Sequence, residues 1–451
     1  MDDFNEKPTG KAQEQSSLGH LRRFSKTIKI IIIGVLSLLL MIPVLMTENL
    51  IVERGRTQEK SINEVSEKWS LAQTVTGPYL SLKYQVITES NGEKKVSLKD
   101  LIVFPNQLKI NGEVKTEILK RSIYEVNVYQ SELTLKGSFS LEDLIKSKVD
   151  LEAIQFDKAS ICLNLTDMRG ISEQLNISLG DSVYSFEPGM DNKGIMATGV
   201  HAIADLSDLK AKRELPYEIK MKLKGSQSIN FIPLGKTTQV DLKANWGTPS
   251  FIGNYLPNQR DIAPKEFSAQ WQVLNLNRNY SQVMMDYNKA NLKDIENSSF
   301  GVNFKIPVEQ YQQSTRSTKY AILIILLTFA VIFFTEIMNN TRIHALQYLL
   351  VGLALCLFYS LLLSFSEQIG FNPAYLLAAT LTILLVGGYI LGITKKKKPT
   401  LIMVGLLFIL YLYIFILIQL ETFALLAGSI GLFIILGVVM YFSKKIDWFN
   451  E

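Results

Sequence analysis

YAILIILLTFAVIFFT (Tyr320–Thr335), YLLVGLALCLFYSLLLS (Tyr348–Ser364), PAYLLAATLTILLVGGYILGI (Pro373–Ile393), LIMVGLLFILYLYIFILI (Leu401–Ile418) and FALLAGSIGLFIILGVVMYF (Phe423–Phe442) follow one another near the end of this 451-residue chain. None of the five contains Asp, Glu, Lys or Arg. A helix rises about 1.5 Å per residue, so each run reaches roughly across a hydrocarbon core near 30 Å thick. Soluble core helices do not come five in succession without a charge. The block therefore reads as five transmembrane helices.

A sixth run, Ile30–Met46, follows Arg22, Arg23, Lys26 and Lys29. It is longer than a usual signal-peptide core, and no small-x-small cleavage site follows it. It reads as an uncleaved first transmembrane helix, with Pro43 a candidate bend. The basic residues then set an orientation. Arg342, Lys395 to Lys398, Lys444 and Lys445 fall in alternate breaks, whereas Ser366–Asn372 and Gln419–Thr422 carry only Glu367 and Glu421. Both termini are expected in the cytoplasm. The long polar stretch between the first two spans is expected in the periplasm.

The expected layout is a disordered cytoplasmic tail over 1–27 and a first transmembrane helix over 28–47. A periplasmic β-rich domain over 48–319 follows, then five transmembrane helices over 320–443 and a cytoplasmic tail over 444–451. Within 48–319, Ile62, Val65, Trp69 and Ala72 recur at helical spacing, and Gly77-Pro78 is expected to stop that amphipathic helix. The period then becomes two: Tyr124, Val126, Val128; Leu133, Leu135, Phe139; Ile161, Leu163, Leu165; Leu175, Ile177, Leu179; Tyr217, Ile219, Met221, Leu223; Val240, Leu242, Ala244, Trp246. Asn91-Gly92 and Asn111-Gly112 have the composition of tight hairpin turns. Phe300, Val302, Phe304 and Ile306 supply a last strand. The fold class is thus a multi-pass α-helical membrane protein of six transmembrane helices. A large, mainly antiparallel, sandwich-like β-domain is inserted between helix 1 and helix 2.

Charge narrows the function. The stretch 47–319 carries 34 basic and 33 acidic residues, so it lacks the concentrated basic face of a nucleic-acid-binding domain. The two cysteines, Cys162 and Cys356, fall in the polar stretch and in a membrane run, and no disulfide is expected between them. The three histidines, His20, His201 and His344, are divided by the expected topology, which disfavours a multi-histidine metal site. There is no HExxH motif, phosphate-binding Gly-rich loop or nucleophile elbow.

His201 reads first as a strand-end histidine with a structural hydrogen bond, and second as a general base. Asp167 and Arg169 read as a structural pair or turn before a charged-ligand site. The polar line Glu336, His344, Gln347 and Tyr348 reads as interfacial, with partner docking as the alternative. Gly387-Gly388, Gly428 and Gly431 read as helix-packing positions rather than breaks. Lys395–Lys398 reads as a membrane-side anchor. No catalytic, cofactor-binding or metal-binding residues are expected.

Several segments also carry a resemblance. They are Ile51-Val-Glu-Arg54, Gly77-Pro78, Arg121-Ser-Ile-Tyr124, Val128-Tyr129, Asp167-Met-Arg-Gly-Ile171, Phe186-Glu-Pro-Gly189 and Gly199-Val-His201. Further on come Trp246-Gly-Thr-Pro-Ser-Phe251, Leu256-Pro257, Arg260 and Phe267-Ser-Ala-Gln-Trp271. The most specific are Tyr311-Gln312 with Thr318-Lys-Tyr-Ala321, His344-Ala-Leu-Gln-Tyr-Leu-Leu-Val-Gly352, and Ser366-Glu-Gln-Ile-Gly-Phe371. In these the chain resembles the CreD family of bacterial inner-membrane, cell-envelope integrity proteins, over roughly residues 28–450. One departure is Gln368, where the family pattern commonly has His. The resemblance implies an inner-membrane protein tied to envelope maintenance. In some relatives it is a target of the two-component system of the same name, with effects on tolerance to envelope-acting toxins and antibiotics. It implies no reaction and supplies no catalytic residues.

The expected role is non-enzymatic: support of envelope integrity or a stress response through contact of the β-domain with another envelope component. Membrane lipids and an envelope protein or cell-wall component are the expected partners, and nucleic acid is not. A transporter or lipid-handling permease using the five-helix block is the alternative. A periplasmic hydrolase, for which Cys162 is the β-domain's only thiol, is a third reading.

Overall fold

The computed structural model describes residues 11–90, 93–190, 195–285, 289–304, 306, 309–339, 343–420 and 423–444. The chain divides into two compact units, Met1–Thr57 with Val308–Glu451, and Gln58–Pro307. Helix α1 (Lys11–Trp69) begins in the first and ends in the second. Of the tail expected over 1–27, Met1–Gly10 lie outside the described residues and the rest is the first part of α1. Helix propagation is cheap once a nucleus exists, and the apolar run after Lys29 supplies one. The helix runs through Pro43 unbroken and ends at Trp69, so Gly77-Pro78 does not stop it.

The second unit holds β1 (Gln73–Ser90), β2 (Glu93–Val103), β3 (Gln107–Arg121), β4 (Tyr124–Ser140), α2 (Glu142–Lys146), β5 (Ile154–Leu165), β6 (Asn176–Leu179), β7 (Ser182–Ser185), β8 (Glu187–Pro188) and β9 (Gly199–Ala204). After these come α3 (Ser207–Lys212), β10 (Glu214–Ser226), β11 (Ser228–Phe231), β12 (Thr237–Ala244), β13 (Ser250–Gly253), β14 (Gln259–Ile262), β15 (Phe267–Leu274), β16 (Val283–Met285), α4 (Lys289–Asn297) and β17 (Phe300–Asn303). One sheet runs β13-β17-β11-β1-β5-β9-β8, with β2 on β1 and β16 on β2. The other runs β14-β15-β12-β3-β4-β10-β6-β7. Most ladders are antiparallel, but β1–β11 and β3–β12 are parallel, so the sheets are mixed.

The inward faces of the two sheets share one core, which includes Leu80, Leu82, Ile110, Leu135, Ile161, Ile219, Leu242 and Trp271. The first sheet is also covered on its other face. Tyr79, Ile102, Phe104 and Cys162 alternate out of the main core and pack with Ile232, Leu234, Tyr280, Met284 and Ile295. This two-sided burial gives Leu101-Ile-Val-Phe104 its unbroken apolar run. Gly77-Pro78 sits inside β1 at a register shift, where the strand passes its edge from β11 to β2. A prolyl nitrogen, which has no hydrogen to give, is tolerated at such a bulge.

Two turn expectations fare differently. Asn91-Gly92 lies outside the described residues. Asn111-Gly112 is not a turn: it lies within β3, with Asn111 opposite Thr134 and Gly112 opposite Leu133. The β3–β4 turn is at Ser122, which adopts φ 56°. Gly112 is needed for room, since an added Cβ would lie 2.7 Å from Leu242 Cδ1 and 2.8 Å from Leu133 Cδ2. Because both obstacles are flexible side-chain ends, Gly112→Ala is expected to cost about 1–2 kcal/mol, the usual price of overpacking. A shift of tryptophan-monitored melting checks it. The last expected strand is also shorter, since β17 stops at Asn303 and Ile306 is outside it.

The first unit contains part of α1 and then α5 (Glu309–Thr318), α6 (Ala321–Asn339), α7 (Ala345–Ile369), α8 (Phe371–Thr394), α9 (Lys397–Gln419) and α10 (Ala424–Ser443). Polar α5 belongs here and not to the β-unit, so that unit is narrower than the expected 48–319 at both ends. Among the described residues, five helices (α1 from Ile28, and α7 to α10) are long and apolar enough to cross a membrane. The α5–α6 pair, bent by 43°, makes a sixth if it counts as one span. The core includes Leu40, Phe329, Tyr348, Phe358, Tyr359, Tyr375, Leu407 and Tyr411. Side chains such as Leu425, Leu426 and Phe433 leave α10 widely exposed and apolar, which suits lipid contact rather than water.

Candidate functional site

Helix α7 is a ruler along the first unit. At its start the Tyr348 ring lies 5.9 Å from Lys29 Nζ. Further on, Gly352 leaves room for Leu40, Cys356 Sγ reaches Leu40 O at 3.4 Å, and the Thr47 and Ser360 hydroxyls are 3.3 Å apart. At its end Glu367 faces Arg54. Residue numbers rise together on both helices, so α1 and α7 run side by side in the same direction. Lys29 and Arg54 are about 38 Å apart along a helix, a distance comparable to the thickness of a bilayer.

At the Lys29 end, Glu336 of α6 is the hub. It pairs with Lys29 and accepts from Tyr348 Oη at 3.2 Å and from the Ile343 amide at 3.3 Å, while Lys29 also donates to Ile343 O at 2.9 Å. His344 and Gln347 have another task. His344 Nδ1 accepts from the Leu346 amide at 3.2 Å and Gln347 Oε1 from the His344 amide at 3.0 Å, which caps the start of α7. The polar line of the sequence is therefore half ion cluster and half helix cap. Lys29, read only as a flanking charge, completes the cluster. Arg342 lies outside the described residues.

At the other end Tyr311 Oη donates to Glu367 Oε1 at 3.1 Å, and Arg54 Nε lies 3.9 Å from the same oxygen. Ile51, Tyr311 and Leu363 pack beneath them. Three stretches on which the resemblance rests, around Arg54, Tyr311 and Glu367, thus meet at one point. No periodicity in the sequence joins them. Gln368 is exposed beside this cluster.

In the β-unit, Asp167 and Arg169 form a clasp around the end of α1. Asp167 Oδ2 accepts from the Leu71 amide at 3.0 Å and from Arg169 Nη2 at 2.8 Å, and Arg169 Nη1 donates to Glu67 O. A cation on the last carbonyls of a helix is favourable. Gln73 Nε2 ties Ser70 Oγ (2.9 Å) to Asp167 O (2.8 Å), and Lys224 lies over the Trp69 ring at 5.1 Å. Burial pushes the Asp167 carboxyl up, but hydrogen bonds from Arg169 and from the Leu71 and Arg169 amides outweigh it and hold the pKa at about 2. This pair is structural. His201 Nδ1 bonds Gly189 O at 2.9 Å, also a structural contact, and Cys162 is buried. Gly387 packs against Val404, and Gly431 against Tyr413.

Among the described residues no group of three or more His, Cys, Asp and Glu is placed to hold a metal. The outer face of the second sheet carries a groove of about 720 Å³ whose lining includes Glu113, Lys115, Lys243, Asn245, Asp261 and Glu266.

The family model described as "Inner membrane protein CreD" matches residues 25–449. The chain belongs to the CreD family. It is 30% identical over 418 residues to "Inner membrane protein CreD" of Escherichia coli (strain K12), covering 91% of each chain. With its apolar helices, membership makes this CreD-family chain a multi-pass inner-membrane protein with a β-unit.

Proposed function

We propose that this protein supports envelope integrity without catalysis, by contact of its β-unit with another envelope component on the periplasmic side. One observation carries the reading. Arg54 and Tyr311, which bracket the β-unit in sequence, meet on Glu367 at one end of the helical unit. Lys29 and Glu336 meet at the other. The α5–α6 pair therefore runs from end to end, opposite to α1 and α7, and acts as the second of six spans. The chain then leaves the membrane before the β-unit and re-enters it afterwards on one side, and an even number of spans puts both termini on the other. The basic residues of the breaks make that other side the cytoplasm. The groove by Lys115 and Lys243, lined by both signs of charge, offers polar contacts to a partner.

The native cysteines are both buried, so an introduced one reports alone. A membrane-impermeant maleimide is expected to label Leu276→Cys from outside the inner membrane, and Leu346→Cys only after permeabilisation. These positions are 88% and 57% exposed. The reverse pattern would overturn the topology. For the role, crosslinking from the outer face of the second sheet in native membranes is expected to capture a reproducible envelope partner. Recovery of the protein alone under several envelope stresses would count against contact as the function.

A further inference from the structure

Helix α5 is out of keeping with its surroundings. It reads EQYQQSTRST, yet it packs against apolar α7, α8 and α9. Elsewhere in the helical unit Ser37, Thr47, Thr328, Ser366, Thr382 and Thr394 each donate to a carbonyl three or four residues back in their own helix. That is how a hydroxyl is satisfied within an apolar bundle. Ser314 and Ser317 do not. These two residues are 1% and 0% exposed, their hydroxyls have no hydrogen-bond partner among the described residues, and they lie three apart on the face that also carries Tyr311. Two unpaired hydroxyls in such a place are costly unless a polar group meets them. A polar half-helix bent against its apolar continuation is also how membrane proteins line polar binding sites.

Tyr311, at one end of this face, also belongs to the Arg54–Tyr311–Glu367 cluster. Glu367 is 13% exposed and Arg54 48%, and their 3.9 Å separation exceeds a hydrogen bond. The pair is thus open to groups that engage each charge separately. A guanidinium forks onto a phosphate, and a carboxylate beside the Tyr311 hydroxyl suits a primary ammonium, which has three hydrogens to give. The cluster lies at one end of α7, and the head groups at a bilayer face carry both.

We propose that Arg54, Tyr311 and Glu367, backed by Ser314 and Ser317 of α5, form a binding site for the phosphoethanolamine head group of a membrane lipid. Phosphate sits on Arg54 and ammonium on Glu367. A choline head has no N–H to donate, and a glycerol head has no cation. The site goes beyond the envelope-contact role and does not depend on which side the β-unit lies.

Native mass spectrometry of the full chain tests it, with ethanolamine, choline and glycerol phospholipids of identical acyl chains. The ethanolamine lipid is expected to be retained about tenfold better than either other. The exchange of Arg54→Glu with Glu367→Arg keeps an ion pair but reverses the polarity that the head group meets, and is expected to abolish the preference. Ser314→Ala with Ser317→Ala is expected to reduce it severalfold. Should the exchanged protein fail to fold, Glu367→Gln gives the same readout. Equal retention of the three lipids, or an undiminished preference in the exchanged or Glu367→Gln protein, would overturn the site.

Discussion

Arg278→Ala is expected to lower the melting temperature of the β-unit by about 8–16 °C. Arg278 is 8% exposed, and among the described residues no carboxylate pairs with it. Its guanidinium donates to Tyr280 O at 2.8 Å, Leu234 O at 3.1 Å and Gln282 Oε1 at 2.5 Å, and stacks 4.2 Å from the Tyr280 ring. Burial disfavours the charged form and lowers its pKa, so the carbonyls must supply what water would. These contacts join three connections around the second core: Ile232–Lys236, Phe104–Asn106 through Gln282, and Arg278–Gln282 itself. Truncation leaves several buried acceptors unpaired, at about 1–3 kcal/mol each, for a total of about 4 kcal/mol. For a unit of this size about 2–4 °C accompanies each kcal/mol. Arg278→Lys keeps the charge but not the fork, and is expected to lose about half as much. Melts followed by the tryptophans, three of which lie in this unit, give the answer. A fall below about 2 °C for the alanine variant would show that the arginine holds nothing together.

Nothing in the sequence around Asn277-Arg-Asn-Tyr280 signals that role, because a buried arginine and a solvated one have the same local pattern. What was legible was whatever has a period. The apolar runs became α6 to α10, with ends that differ by one to five residues, since hydrocarbon demands length and lack of charge and little else. The alternating runs became β4, β6, β10 and β12, strands whose two faces differ over much of their length, and β5, which alternates in sequence although it is buried on both faces from Ala159 on. Leu101–Phe104 escaped because it is buried on both faces and shows no alternation. Asn111-Gly112 misled because a glycine that makes room and a glycine that makes a turn are one letter. The Glu367 cluster joins residues more than fifty positions apart, and Lys29 reaches the Glu336 cluster from the far end of the chain. The one hint was that the family-like stretches around Arg54, Tyr311 and Glu367 share no fold-level reason of their own.

Asp167→Asn is expected to destabilise the β-unit by about 2 kcal/mol at neutral pH, and the loss is expected to vanish in acid. The clasp carboxylate has a pKa of about 2 against an ordinary 3.8. That difference corresponds to about 2 kcal/mol of stability from the charged form. The sign follows from the direction. A depressed carboxyl stabilises fully above about pH 4, and its contribution is lost as pH falls through about 2. Wild-type and Asp167→Asn proteins should therefore differ by about 4–8 °C in melting temperature at pH 7, and converge between about pH 4 and pH 2. Trp69, beside the clasp, is a local reporter. Arg169→Ala removes the bidentate partner and the cap on Glu67 O, but leaves the Leu71 and Arg169 amides on the carboxylate. It should shift the midpoint of the acid loss upward as well as lower the plateau. The asparagine variant has no carboxyl there to titrate. A gap between wild type and Asp167→Asn that stayed constant down to pH 2 would mean that the side chain's shape, and not its charge, holds the end of α1.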